Sequence, residues 1–191
     1  MAAPDPTEAA LLQVAEQIER AVDDELERID QLDDDDLAVI RHKRLKQVQE
    51  MAKRKEDWLR KGHGMYQHID DPKKFFEFAK RSERVVCHFR REATERCKVV
   101  DKHIGALVAK HYETLFCSVD VERLPMLAER FNVVMLPTIM LIEGGNTFHS
   151  IIGFDEFGEV DDFPTRTFEL VLEKYGMLND RDMFYADQEE D

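Results

Sequence analysis

Cysteine is scarce in this chain and poorly spaced for chemistry. Only Cys87, Cys97 and Cys117 occur, an odd number at irregular intervals, so no disulfide framework is written into the sequence. No two of them form Cys-x-x-Cys, and the seven histidines are scattered without His-Glu-x-x-His, which leaves no metal-ligand motif. The phosphate-cradling pattern Gly-x-x-x-x-Gly-Lys-Ser/Thr is missing, and no cofactor is called for. No apolar run reaches the ~18 residues of a membrane span. The opening residues Met1 to Glu8 lack the basic and apolar stretches of a secretory leader. Reduced thiols without leader or span predict a cytosolic, or also nuclear, compartment.

Positive charge is also short. Against 41 Asp and Glu stand 27 Lys and Arg, a formal net charge of -14. Nucleic acid is held largely by Lys and Arg neutralising phosphate, so a nucleic-acid partner is excluded, and an anionic membrane surface is disfavoured. The acidity suits a basic protein surface, or serves solubility alone.

Glycine is absent before Gly62, and proline is absent between Pro6 and Pro72. What fills that stretch is helical spacing: Leu11, Val14, Ile18, Val22, Leu26 and Ile29, then the run Asp33 to Asp36, then Leu37, Ile40, Leu45, Val48 and Ala52 as far as Trp58 and Leu59. The aspartates suit a helix start, Arg54, Lys55, Arg60 and Lys61 suit its end, and Gly62 and Gly64 stop it. A helix from Leu37 to Lys61 would be about 37 Å long. Its apolar stripe is narrow, so this arm must lie on its own domain, pair with another helix as a coiled coil, or bind a partner. Residues 11–32 offer the second strand of an intramolecular hairpin or a dimer contact. Leu37, Ile40, Leu45, Val48 and Trp58 are the arm's candidate partner-binding residues.

The rest of the chain alternates. Asp70 or Asp71 caps a helix through Phe75, Phe76 and Ala79, with Pro72 in its first turn. Val85 to Phe89 reads as a buried strand, Cys97 to Tyr112 as a helix, Leu115 to Val121 as a strand, and Leu124 to Phe131 as a short helix. Thr138 to Ile142 and Thr147 to Ile152 form a hairpin across Gly144-Gly145, and Phe168 to Tyr175 is a closing helix. The order α-β-α-β-α-β-β-α, with Pro137 just before the third strand, resembles the thioredoxin fold. The expected class is α/β, a central mixed sheet flanked by helices and preceded by a long N-terminal helical arm. The expected divisions are an arm over residues 1–62, a thioredoxin-like domain over 63–180 and a short acidic tail over 181–191.

On that resemblance Thr94 falls on the nucleophilic cysteine and Cys97 on the resolving one, in Thr94-Glu95-Arg96-Cys97. Pro137 falls on the cis-proline with Thr138 after it, and His88 on the buried acid that assists proton transfer. Disulfide exchange needs a thiolate as attacking atom, and a threonine hydroxyl cannot supply one. The motif is degenerate and no residue is assigned a catalytic role. Cys97 remains either a packed thiol or a redox sensor. Its first-turn position, with Arg96 and Lys98 nearby in sequence, would favour a thiolate.

The junction Trp58-Leu59-Arg60-Lys61-Gly62-His63-Gly64 narrows the resemblance, together with Val85-Val86-Cys87-His88-Phe89, Arg96-Cys97-Lys98, Gly153-Phe154 and Asp161-Asp162-Phe163. These segments closely resemble the phosducin-like protein 3 group of the phosducin family, over about Leu26 to Leu178. His63 marks a hinge or is a plain loop residue. The resemblance implies a non-catalytic cytosolic co-chaperone, monomeric when free, that binds the chaperonin TRiC/CCT and modulates the folding of actin, tubulin or other clients. On this reading an acidic arm reaches a basic partner surface. The alternative is a monothiol sensor or weak thiol oxidoreductase acting through Cys97.

Overall fold

The computed structural model describes residue 20 and residues 34–179, the side chains of 34–36 apart. The stripe from Leu11 to Leu32 and the acidic tail lie outside them, except for Arg20. Chain contacts divide the molecule into two units, residues 1–52 and 53–191.

Helix α1 runs Asp34–Arg60. Its end is closed by local chemistry: the amide of Gly62 donates to the Leu59 carbonyl and that of His63 to the Trp58 carbonyl, at 3.0 Å each. Gly62 takes φ +87°, the left-handed conformation that glycine enters without steric cost, so the helix ends there.

The second unit is built on one five-stranded sheet, β1 (Gln67–Ile69), β2 (Arg84–Arg90), β3 (Thr114–Asp120), β4 (Thr138–Glu143) and β5 (Asn146–Ile152), in spatial order β1-β3-β2-β4-β5. Strand β2 is central, parallel to β3 and antiparallel to β4. Covered on both faces, β2 and β3 read as near-continuous apolar runs rather than alternating ones. Among the described residues, the unit also holds α2 (Pro72–Arg81), α3 (Glu95–Leu107), α4 (Pro125–Arg130) and α5 (Thr165–Lys174), with a 3-10 turn at Asp155–Phe157.

Alternation along the strands builds two cores. Val86, Phe116, Leu141 and Ile151 join Val100 and Ile104 of α3 and Phe168 and Leu172 of α5. Val85, Cys87, Leu115, Cys117 and Met140 join Phe75 of α2 and Leu127 of α4. Residues 85 and 86 point to opposite faces because the side-chain period of a strand is two.

Of the two candidate caps for α2, Asp71 takes the role: its carboxylate accepts from the Lys73 amide at 2.8 Å, and Pro72 opens the first turn. The hairpin expected at Gly144-Gly145 is present, with φ +55° and +85°, both in the region a two-residue hairpin turn needs. Two features differ from the sequence reading. Strand β1, three residues long with Gln67 and His68 polar, falls outside the expected order. Helix α3 ends at Leu107, five residues before Tyr112, because the chain beyond it is drawn to other partners.

Candidate functional site

The degenerate motif sits where β2 hands over to α3. Thr94 is the residue before the helix, with extended backbone and no side-chain cap hydrogen bond. Its amide donates to the Arg91 carbonyl at 3.1 Å, and its carbonyl accepts from the Cys97 amide at 3.0 Å. Cys97, one turn inward, is 0% exposed. The Leu136-Pro137 bond is cis, the buried Pro137 carbonyl accepts from the Gly153 amide at 2.8 Å, and the buried Thr138 hydroxyl donates to the Met135 carbonyl at 2.7 Å.

Of the two readings of Cys97, the geometry favours the packed thiol over the thiolate of a sensor. Burial pushes the thiol pKa up and outweighs the hydrogen bond from the Arg91 backbone, which lowers it; the Asp101 carboxylate on the next turn adds a smaller rise, against smaller lowering by Arg90 and Thr94. The two cations adjacent in sequence are committed elsewhere. Arg96 pairs with Asp161 at 2.8 Å and lies over the Phe154 ring, while Lys98 pairs with Glu95 at 2.6 Å. Iodoacetamide is therefore expected to modify Cys97 in the native protein more slowly than a free model thiol at neutral pH. Mass spectrometry of the labelled peptide reads the rate, and equal or faster labelling would restore the sensor reading.

The acid position is also not as the sequence suggested. His88 stands on the central strand, wholly buried, but a carboxylate reaches it from α3. Asp101 Oδ1 accepts from the Tyr66 hydroxyl at 2.7 Å and from His88 Nδ1 at 3.0 Å, and Oδ2 lies 3.3 Å from Arg90 Nε. Burial lowers the His88 pKa against the pull of Asp101, so the ring is neutral with its proton on Nδ1. Burial works to raise the Asp101 pKa, yet the bonds from His88 and Tyr66 and the Arg90 charge outweigh it and hold the carboxyl below its ordinary range. Burial, and after it Asp101, raises the Tyr66 phenol pKa. A carboxylate is thus present near the motif, but it is locked in an ion-paired network and disfavours ionisation of the neighbouring thiol.

Sequence reading passed over Tyr66, Arg90 and Asp101. Only Asp101 left a trace, four residues after Cys97 and hence on the same helix face. It also passed over a second grouping: Cys87 and Cys117 are register partners on β2 and β3, both free and both wholly buried. Burial, with Cys117 alongside, holds the Cys87 thiol protonated.

His63 is neither hinge nor plain loop. It is 1% exposed; its Nδ1–H donates to the Tyr112 carbonyl at 2.7 Å, and the Ser82 hydroxyl donates to Nε2 at 2.8 Å. Burial lowers its pKa, and the neutral ring links the residues after α1 to the end of α2 and to the turn that leads into β3. Replacing His63 with alanine leaves both partners unpaired in a buried site, and a loss of about 2–4 kcal/mol in urea unfolding is expected.

The arm residues separate. Leu37, Ile40, Leu45 and Val48 are 37%, 50%, 57% and 60% exposed along one helix. Trp58, in the second unit, is half-buried. The expected acidity of the arm does not hold along this stripe: residues 37–55 carry seven Lys and Arg against the single acid Glu50. Among the described residues, no helix is long and apolar enough to cross a membrane.

A sequence profile of the phosducin family matches residues 12–191. The chain belongs to the phosducin family. Within it, the sequence is 42% identical over 172 residues to phosducin-like protein 3 of Drosophila melanogaster, covering 90% of this chain and 80% of that protein. It is 41% identical over 172 residues to human thioredoxin domain-containing protein 9, covering 90% and 76%. An Arabidopsis thaliana homologue of the latter is 46% identical over 162 residues, covering 85% and 76%. These relatives place the chain in the thioredoxin domain-containing protein 9 and phosducin-like protein 3 group.

Among solved structures, a thioredoxin mutant from Halobacterium salinarum superposes with TM-score 0.51 at 14% identity, covering 61% of this chain and 96% of that one. Oxidised thioredoxin from Plasmodium falciparum gives 0.50 at 18%, covering 58% and 98%. This phosducin-family member therefore carries the thioredoxin fold. With threonine at the attacking position and its one motif cysteine sealed, it carries that fold without the dithiol chemistry.

Proposed function

We propose that the chain is a cytosolic co-chaperone that binds the chaperonin TRiC/CCT and modulates the folding of actin, tubulin or other clients. It acts as a monomer and without catalysis. The observation that carries this reading is the pairing of a sealed, degenerate motif with an exposed apolar stripe on α1. A domain that keeps the packing of the fold while giving up its attacking atom offers a rigid surface, and a stripe that its own helix cannot bury offers a second one. Two modest contacts on one chain raise the effective concentration of each, so neither needs to be strong.

The charges along α1 set the sign of the second contact. With cations flanking Leu37, Ile40, Leu45 and Val48, the chaperonin surface it meets is acidic, reversing the expectation of a basic one. The assay is co-migration of the full chain with purified TRiC/CCT on size exclusion at low salt. The wild type is expected to co-elute, and Leu45→Asp with Val48→Asp to weaken binding by at least about tenfold while leaving the domain folded. Failure of the wild type to co-elute, or undiminished binding by the double variant, would overturn the respective half of the reading.

The sensor alternative has no supporting geometry. Cys97 is buried, its thiol pKa is raised, and the cations beside it in sequence face carboxylates.

A further inference from the structure

Cys87 and Cys117 take no part in the degenerate motif, yet the sheet sets them side by side. We propose that they form a two-sulfur site for a soft monovalent metal ion of the cuprous class, held between strands β2 and β3.

Register makes the site. Cys87 of β2 and Cys117 of β3 are direct partners in a parallel pair, so their side chains leave the same face of the sheet. Both are free and both are 0% exposed, and the Cys87 thiol has Cys117 as its side-chain partner.

Spacing decides between an ion and a disulfide. Neighbouring strands lie about 4.8 Å apart. A disulfide wants its Cβ atoms about 3.8 Å apart, so joining these sulfurs directly would draw two inner strands together. A metal–thiolate bond is about 2.3 Å in zinc sites, and two in line span about 4.6 Å. One ion therefore fits between the sulfurs with both strands in place.

The ligand count selects the ion. Met140 of β4 is the other register partner of Cys87, but its Sδ accepts from the Thr147 hydroxyl at 3.4 Å. Among the described residues, no group of three His, Cys, Asp or Glu is placed to hold a metal. Zinc in structural sites takes four ligands. Two thiolates alone suit a soft monovalent ion instead. The core around the pair is apolar, with Phe75 of α2 and Leu127 of α4 in it, and such a shell keeps water and hard ligands away.

Binding exchanges one ion for two protons. Both S–H bonds break, two sulfur–metal bonds form, and the buried pair carries a single negative charge. Neither sulfur nor metal changes oxidation state. Because both thiols are sealed, the ion enters as the chain folds.

The test uses the full chain without any partner, so its failure leaves the co-chaperone reading standing. The wild type is refolded from urea without oxygen, with Cu(I) supplied by bicinchoninate. It is expected to take up one ion per chain, read by native mass spectrometry as the gain of one copper and the loss of two protons. Cys87→Ala and Cys117→Ala should each lower uptake at least about tenfold, and Cys97→Ala should leave it within about twofold. Copper X-ray absorption of the wild type, which depends on no variant folding, should show sulfur neighbours alone. The proposal is overturned by no adduct, by one that Cys87→Ala keeps or Cys97→Ala loses, or by a loss of two protons without copper. Nitrogen or oxygen bound to the ion would overturn it as well.

Discussion

Replacing His111 with alanine is expected to lower folding stability by about 3–5 kcal/mol near pH 6, the cost of leaving buried charges without their partner. The imidazole is 3% exposed and clamped between two carboxylates. Nδ1 lies 3.0 Å from Glu113 Oε1 and Nε2 lies 3.0 Å from Glu169 Oε1, and Glu169 is itself only 4% exposed. Glu113 also accepts the Asn179 amide at 3.0 Å, and Arg166 reaches Glu169 at 3.1 Å and Glu173 at 3.0 Å. The clamp thus joins the start of β3, helix α5 and the chain after it. Alanine would take from both Glu113 and Glu169 the ring nitrogen that each carboxylate faces.

The same clamp fixes a pH signature. Burial works to lower the His111 pKa, but the hydrogen bonds to Glu113 and Glu169 outweigh it and raise it above the ordinary 6.5. Its contribution is therefore complete below pH 6.5 and lost as pH rises through the raised value. Glu113 runs the other way. His111 and the Asn179 amide hold its carboxyl below the ordinary 4.5 despite burial, so its contribution is present above pH 4.5 and lost as pH falls through the lowered value. Stability measured by urea unfolding should peak between these limits, and the alkaline decline should be absent in His111→Ala. A variant that declines as the wild type does would remove His111 from the account.

The second large effect is chemical. Thr94→Cys is expected to alkylate on the order of a hundredfold faster than Cys97 at neutral pH. The position is half-exposed at the N-terminal end of a 13-residue helix, where free amides and the helix dipole favour a thiolate. Cys97 lies on the same helix but is sealed, and burial raises its pKa. Stopped iodoacetamide labelling with peptide mapping compares the two sites within one molecule. Equal rates would mean that the helix start no longer activates a thiol, and that more than a side chain separates this domain from a working one.

What the sequence made legible follows from where its signals are local. The Asp71-Pro72 helix start, the apolar run of β2 and the glycine turn between β4 and β5 each depend on a few adjacent residues. What stayed hidden depends on tertiary partners. No glycine or proline follows Leu107 to stop α3; beyond it His111 pairs with Glu113 and with Glu169, 58 residues away. Strand β1 is too short for any periodicity, and two of its three residues are polar. The site divides in the same way. Thr94 and Cys97 could be placed by spacing, whereas Tyr66 meets Asp101 from 35 residues away and no pattern announces it. A carboxylate missing from one strand had been supplied by a helix.

Thr94 makes no cap bond and lies at the rim, while the two cores behind it are formed by residues that never touch disulfide chemistry. Exchange at that one position is therefore expected to cost the fold little. In evolutionary terms, a redox domain of this architecture can surrender its reaction in a nearly neutral step, with no unstable ancestor in between. Selection is then free to work on the outer surface of a protein that already folds.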